Sequence, residues 1–168
     1  MSVNCDVVLP RYHRGMSATM YMRRCVELAE IAARAGDTAV GALIVCGDEV
    51  VGEGVERSRA ALDPSAHAEV EAIRQACQYL DTLDLRGCSL YSTVEPCVLC
   101  GYAIRRTGIS RVVYGVPAGQ AGACTSSYAI LADGDLDGWP PVPEVTGGVL
   151  ADECLAALLQ QPPRNRFA

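Results

Sequence analysis

Three residues of types that bind metal ions, His67, Cys97 and Cys100, constrain the fold of this chain more than any other feature of its sequence. Cys97 and Cys100 are three positions apart, so on the first turn of a helix both sulfur atoms can face one ion. His67 lies much earlier in the chain, at the predicted start of another helix. If the three residues share one ion, the fold must bring the starts of these two helices together.

The same ligand set predicts the chemistry of the site. Three protein ligands leave the fourth position of a tetrahedral zinc site open for water, as in catalytic sites, whereas structural sites usually close with four ligands. Zinc lowers the pKa of such a water to about 7. Glu69, two residues past His67, can accept the water proton, deliver it to a ring nitrogen and help ammonia leave. The pattern therefore predicts a hydrolytic zinc site in which Glu69 moves protons.

The composition predicts a single globular domain over residues 1–168, in which residues 1–16 form a loose N-terminal extension. Half of the residues are apolar and a fifth are charged, which is ordinary for a globular protein. The net charge is -6 and the pI is near 4.9. Because clustered cations supply most of the energy for gripping a phosphate backbone, this charge predicts a small-molecule partner and argues against a nucleic-acid partner.

The cysteines and the N-terminus predict a reduced, cytoplasmic protein with no membrane partner. The N-terminal residues lack the basic start and apolar run of a secretory signal, and no apolar stretch reaches the length of a membrane span. The count of nine cysteines is odd, which fits a closed disulfide framework badly. Free thiols and a metal site are the better interpretation.

Helical and strand patterns alternate along the chain. Helices are predicted over 17–35, from 63–65 to about 80, from 96 to about 108 and over 151–160, and strands over 39–46, 49–55, 89–94 and 111–116. A Gly47-Asp48 turn joins the first two strands into a hairpin. This order predicts the α/β class, as a sandwich around a mixed sheet.

Residues 117–148 are rich in Gly, Pro, Ser and Asp, with one short helix predicted around 126–132. A compact domain rarely carries about 30 loose residues without a use for them, so this segment is predicted to cover the site. Trp139, the only tryptophan, lies in it. Its side chain can either stack on a flat substrate or pack the segment against the protein.

The run His67-Ala68-Glu69 followed by Pro96-Cys97-Val98-Leu99-Cys100 resembles the cytidine deaminase superfamily of zinc enzymes. Further similarity, from about residue 26 to residue 116, is to the branch with guanine deaminases, fungal-type cytosine deaminases and tRNA adenosine deaminases. It is carried by the runs 40–45, 52–54, 63–66 and 90–95.

This resemblance implies a three-layer α/β/α sandwich with a central mixed five-stranded sheet, zinc between two helix starts, and a homodimer. It also implies that the backbone N–H of Ala68 and the backbone carbonyl of Glu95 contact the substrate ring.

Glu56 departs from the pattern of these relatives, which usually carry a substrate-contacting asparagine at this position, eleven residues before the histidine. An amide donates one hydrogen bond and accepts another, whereas an ionised carboxylate only accepts. If Glu56 faces the pocket, the substrate should present N–H groups to it. The alternative is that the loop turns Glu56 into solvent.

Three functions compete for these residues. The favoured hypothesis is a zinc-dependent hydrolytic deaminase of a small amino-substituted heterocycle, a free base or nucleoside. A guanine-like ring is preferred, because residues 63–70 resemble guanine deaminases most closely. The first alternative is a tRNA wobble adenosine deaminase, which the acidic last helix opposes. The second alternative is a non-catalytic zinc module, which requires a fourth ligand such as Cys124.

Overall fold

A computed structural model of the chain describes residues 17–134 and 137–160. The predicted N-terminal extension, residues 1–16, lies outside the described residues.

The described chain contains a five-stranded sheet in the order β2-β1-β3-β4-β5. Its strands are β1 (Gly41–Cys46), β2 (Glu49–Val55), β3 (Cys88–Val94), β4 (Arg111–Val116) and β5 (Glu144–Thr146). β1 runs antiparallel to β2 and β3, whereas β3–β4 and β4–β5 are parallel. The prediction of a mixed five-stranded sheet in the α/β class is confirmed.

Within the described ranges, four α-helices cover the two faces of this sheet: α1 (Ala18–Arg34), α2 (Ala68–Leu80), α3 (Val98–Thr107) and α4 (Ala151–Leu159). Successive side chains of a strand point to opposite faces. Leu43 therefore packs in the cluster with Met22 of α1, while Ile44 packs in the cluster with Ile73 of α2. This two-sided burial explains why β1 is apolar at nearly every position, and it gives three layers.

Glycines in β2 allow α2 to lie directly on the sheet. A Cβ atom at Gly54 would overlap the carbonyl oxygen of Ala68, and one at Gly52 would lie 3.0 Å from the backbone nitrogen of Ala76. The first turn of α2 is therefore held against β2 at a distance that any side chain would prevent. This contact fixes the height of the helix start above the sheet.

Helix α2 begins at Ala68, later than the sequence predicts. Asp63, at the predicted start of the helix, instead accepts hydrogen bonds from the backbone N–H and the hydroxyl of Ser65, at 2.8 and 2.7 Å. These bonds close a separate turn, and His67 becomes the cap residue with an extended backbone. The delay places His67 at the helix start itself.

One further prediction differs from the structure, and one strand has no counterpart among the predicted elements. The helix predicted around 126–132 is absent; these residues form turns, and a short 3₁₀ helix lies earlier, at Gly119–Ala121. Strand β5 was not predicted, because three residues carry too little periodicity to be recognised. None of the helices within the described ranges is long and apolar enough to cross a membrane.

Candidate active site

The three predicted metal ligands converge at the starts of two adjacent helices. His67 is the N-cap of α2 and Cys97 is the N-cap of α3, with Cys100 in the first turn of α3. The Nδ1 atom of His67 lies 3.5 Å from the sulfur of Cys97 and 3.5 Å from that of Cys100, and the two sulfurs are 3.7 Å apart. The fold thus satisfies the constraint that the sequence imposed.

These separations fit a tetrahedral zinc ion. With Zn–S near 2.3 Å and Zn–N near 2.1 Å, tetrahedral ligand atoms lie about 3.6–3.8 Å from one another. In the part of the chain that the structure describes, this is the one group of His, Cys or acidic residues arranged to hold a metal ion. Cys124 does not belong to it, so none of the residues that the structure describes supplies a fourth ligand.

Of the three ligand side chains, Cys97 already favours the form that binds a metal ion, whereas the pKa values of His67 and Cys100 are raised, so both must release a proton on binding one. Hydrogen bonding with Cys100 and the proximity of His67 lower the pKa of Cys97 to about 4, against the opposing effect of burial. Hydrogen bonding with Cys97 raises the pKa of His67 to about 9. The geometry thus favours a thiolate at Cys97, which is the form that binds a metal ion. All cysteines in the described ranges are free thiols, as predicted.

Glu69 lies next to the ligand group and is nearly inaccessible to solvent, with 4% of its surface exposed. One carboxylate oxygen accepts a hydrogen bond of 3.0 Å from the Ser92 hydroxyl, and the other lies 3.4 Å from the Cys100 sulfur. Burial raises the pKa of Glu69 to about 7. A carboxyl group in this position can both accept and return a proton near neutral pH.

A cavity of about 220 Å³ opens beside the ligand group. It is lined by Thr38, Val40, Glu56, Ser58, His67, Glu69, Val94, Glu95, Cys97 and Ala118. Glu56 is thus in the cavity wall rather than in bulk solvent. Ala68 is the buried first residue of α2, adjacent to two lining residues, and its backbone contact with a substrate stays a prediction.

The Glu95 side chain has a role that the sequence analysis missed. Although burial opposes its ionisation, hydrogen bonds from backbone and side-chain donors lower the pKa of Glu95. The donors are the backbone N–H groups of Ala118 (3.0 Å), Cys124 (2.8 Å) and Thr125 (2.8 Å), together with the Thr125 hydroxyl. The carboxylate therefore ties residues 118–125 to the strand end that precedes Cys97. An acidic residue at the end of an otherwise buried strand was the available signal.

We expect Glu95→Ala to lower the free energy of unfolding by about 3 kcal/mol, because it removes the charged acceptor of several buried hydrogen-bond donors and leaves them unpaired. Zinc affinity should fall as well, since residues 118–125 pack beside Cys97 through the Cys97–Gly122 bridge. Urea unfolding and zinc competition against a chelator measure the two effects. The exposed Glu153→Ala variant is the control, with an expected change within about 0.5 kcal/mol; equal effects in both variants would contradict this role of Glu95.

Trp139 lies at the far end of α3 from the ligand group. Its ring contacts Tyr102 edge-on at 5.1 Å, and the guanidinium groups of Arg105 and Arg106 lie 5.9 and 5.7 Å from its centre. It does not line the cavity beside His67. The structure therefore places Trp139 in a packing role, and its stacking on a substrate stays a prediction without support from this geometry.

Arg105 holds the second half of the segment 117–148 in place. Its side chain is 1% exposed and donates hydrogen bonds to the carbonyl oxygens of Ile130, Asp133 and Pro140, at 2.9, 2.6 and 3.1 Å. From this segment, Ala118 lines the cavity. Segment 117–148 thus contacts the cavity near the beginning of the segment, and the second half of the segment packs on the end of α3.

Residues 16–116 match the protein family described as the zinc-binding region of cytidine and deoxycytidylate deaminases. The chain is 37% identical over 134 residues to a tRNA-specific adenosine deaminase of Haemophilus influenzae, covering 79% of this chain and 76% of that protein. A structure from a study of A-to-I editing by tRNA:A34 deaminases at the wobble position of transfer RNA matches 83% of this chain and 99% of its own, with a TM-score of 0.77 and 31% identity. The structure of guanine deaminase from Bacillus subtilis matches 68% of this chain and 73% of its own, with a TM-score of 0.60 and 34% identity.

These similarities correct one prediction. The argument from net charge against a nucleic-acid partner is wrong, because relatives that share more than a third of their aligned residues with this chain act on transfer RNA. Net charge averages over the whole surface, whereas phosphate contacts depend on local charge. Arg57 and Arg59 are exposed in the segment that leads from Glu56 to His67, so cationic side chains lie near the cavity although the net charge of the chain is negative.

Proposed function

The chain belongs to the zinc-dependent cytidine and deoxycytidylate deaminase family, and we propose that within it this protein deaminates an adenosine of transfer RNA to inosine. The observation that carries the proposal is the similarity to tRNA-specific adenosine deaminases, which extends over more than three quarters of both chains. The best-covered structural match reported above, from the tRNA:A34 deaminase study, supports the same substrate.

The site contains the groups that this reaction needs. When bound, zinc supplies a Lewis acid beside the cavity and makes water easier to deprotonate; His67, Cys97 and Cys100 would hold it. Glu69, oriented by Ser92, accepts a proton from the attacking water and delivers it to a ring nitrogen of the base. The remaining water proton then leaves with the amino group as ammonia, so that one water is consumed for each amine released.

Arginines near the cavity offer contacts for a phosphate backbone. Arg57 and Arg74 both pair with Glu71, and Nε of Arg57 lies 3.9 Å from Oε2 of Glu71. About half of each arginine side chain is exposed. Both are close in the chain to the cavity residues Glu56 and His67. Glu71 and Asp63, whose carboxylate also interacts with both arginines, offset these two charges, so this local surface is less acidic than the chain as a whole and still offers two guanidinium groups.

A guanine-like free base is the second candidate, supported by the match to guanine deaminase from Bacillus subtilis. That match covers less of both chains and has a lower TM-score than the match to the tRNA:A34 deaminase structure. A small cavity lined partly by carboxylates also suits a base with several N–H groups.

The zinc-loaded protein should convert adenosine to inosine at the wobble position of an anticodon stem-loop, and should release little ammonia from guanine, cytosine or free adenosine. Inosine is detected by digestion and mass spectrometry, and a stem-loop with guanosine at the wobble position is the matched control. Turnover of guanine with an unchanged stem-loop would instead establish the second candidate.

Homodimer formation stays a prediction from the family resemblance. An exposed apolar surface suited to burial lies in the first half of α3. It is formed by Val98, Leu99 and Tyr102, and Tyr128 lines a surface cavity together with Val98. Sedimentation equilibrium tests it, since a dimer has twice the 17.8 kDa of the chain.

A further inference from the structure

Glu56 is a buried carboxylate in the wall of the cavity that contains the metal ligands. Its backbone N–H donates a hydrogen bond to the carbonyl of Val40, and that of Arg57 donates to Ala66, both at 3.1 Å. These bonds fix Glu56 between the start of β1 and the segment before His67. Only 6% of the residue is exposed, and the cavity is the space that it borders.

One oxygen of the Glu56 carboxylate is bound by the protein and the other is not. The Ser58 hydroxyl donates to Oε1 at 2.5 Å, and the Ser58 backbone N–H lies 3.4 Å from the same atom. Within residues 17–134 and 137–160, Glu56 forms no salt bridge. Its side-chain hydrogen bonds to these residues both reach Oε1, so its Oε2 atom accepts none from them. The neighbouring Arg57 pairs with Glu71 instead.

An unfilled acceptor of this kind requires a donor. Oε2 is not one of the buried unpaired side-chain atoms of the described residues, so it is open to the cavity. An ionised carboxylate only accepts hydrogen bonds, and a ligand that covered this oxygen without offering a donor would leave it unpaired at a cost. The protein supplies no donor, so the donor must come from whatever occupies the cavity. Water can fill this role in the free protein, and a bound nucleotide must replace that water with a donor of its own or lose affinity.

We propose, on the basis of the function proposed above, that Glu56 is a specificity-determining residue whose Oε2 accepts a hydrogen bond from a donor of the target nucleotide. An adenosine within an RNA strand offers such donors at its amino group and at its 2′-hydroxyl, whereas N1, N3 and N7 of its ring only accept. Glu56 therefore selects nucleotides that present an N–H or O–H group at this point of the cavity. Substrates that present only acceptors there are rejected, because the carboxylate would stay unpaired.

The test measures dissociation constants of stem-loops for zinc-loaded protein in the Glu69→Gln background, which slows turnover. The target nucleotide is adenosine, 2′-deoxyadenosine or purine riboside, so one substrate lacks the 2′-hydroxyl and another lacks the amino group. Each is compared in protein with Glu56, with Glu56→Gln and with Glu56→Leu. Glu49→Gln, an exposed acidic residue of β2 bonded to Tyr79, is the control variant.

In the protein that keeps Glu56 and in the Glu49→Gln control, we expect removal of one of the two nucleotide groups, the 2′-hydroxyl or the amino group, to weaken binding about tenfold. The lost hydrogen bond has a charged acceptor. Removal of the same group should raise the dissociation constant about threefold in Glu56→Gln and should change it little in Glu56→Leu. The group whose removal has these effects identifies the donor as the amino group or the hydroxyl. If Glu56→Leu does not fold, Glu56→Gln carries the comparison alone.

Equal losses in every variant would overturn the proposal and leave Glu56 with the structural role of holding Ser58. Inosine formation by the wild-type protein is measured on the same adenosine stem-loop. Its absence, with the dependence on Glu56 intact, overturns adenosine deamination alone. Its presence, without that dependence, overturns the assignment of Glu56 alone.

Discussion

The Glu69→Gln variant is expected to deaminate its substrate about 10²- to 10⁴-fold more slowly than the wild type, with its zinc content unchanged. Glutamine has the size of glutamate, and its carbonyl oxygen can still accept the Ser92 hydrogen bond. It cannot take a proton from water or return one to a ring nitrogen or an amine. The loss therefore reports proton transfer, because the shape of the cavity is kept.

Single-turnover rates and zinc stoichiometry by atomic emission measure the two quantities. Glu30→Gln is the matched control, because Glu30 is a partly exposed residue of α1 whose nearest cation is Arg34 at 3.8 Å; its rate should stay within about twofold of the wild type. Retention of full activity by Glu69→Gln would mean that another group carries the protons. Loss of zinc from it would mean that Glu69 acts on the metal site instead.

The elements that carry the chemistry were predictable because their signals are local. β1 reads as a buried strand since both of its faces pack against helices, through Leu43 on one side and Ile44 on the other. The ligand pair Cys97 and Cys100 needs only the geometry of one helical turn. His67 and Glu69 follow from the same reasoning on α2.

The start of α2 shows how a local signal can mislead. Asp63 and Ser65 have the composition of a helix cap, but their hydrogen bonds close a turn of their own. Sequence patterns do not distinguish these uses, because both satisfy the same backbone donors. The result matters for the site, since the later start makes His67 the cap residue.

The anchors of the segment 117–148 could not be found from local patterns. Glu95 binds residues 23 to 30 positions later, and Arg105 binds carbonyl groups 25 to 35 positions later. Neither contact leaves a periodic trace in the sequence. The error on nucleic acid has a related cause: a sum of charges contains no information on where Arg57 and Arg59 lie.

The contact between β2 and α2 yields the second prediction, which links the fold to the site. In Gly54→Ala, the new methyl group would overlap the carbonyl oxygen of Ala68 and lie 2.7 Å from the backbone nitrogen of Ala72. Both are backbone atoms of α2, so no side chain can rotate to make room. The helix must move away from the sheet, and such overpacking costs about 1–3 kcal/mol or more.

Because His67 caps α2 and Glu69 lies in its first turn, the same movement displaces one metal ligand and the proton carrier relative to Cys97 and Cys100. We therefore expect Gly54→Ala to lower the free energy of unfolding by about 3 kcal/mol and zinc affinity at least tenfold, measured by urea unfolding and chelator competition. Gly134→Ala is the control, since a methyl group there meets no atom within 4 Å. If Gly54→Ala lost stability but kept its zinc affinity, the ligand geometry would be set by α3 and the cavity wall rather than by the seat of α2 on the sheet.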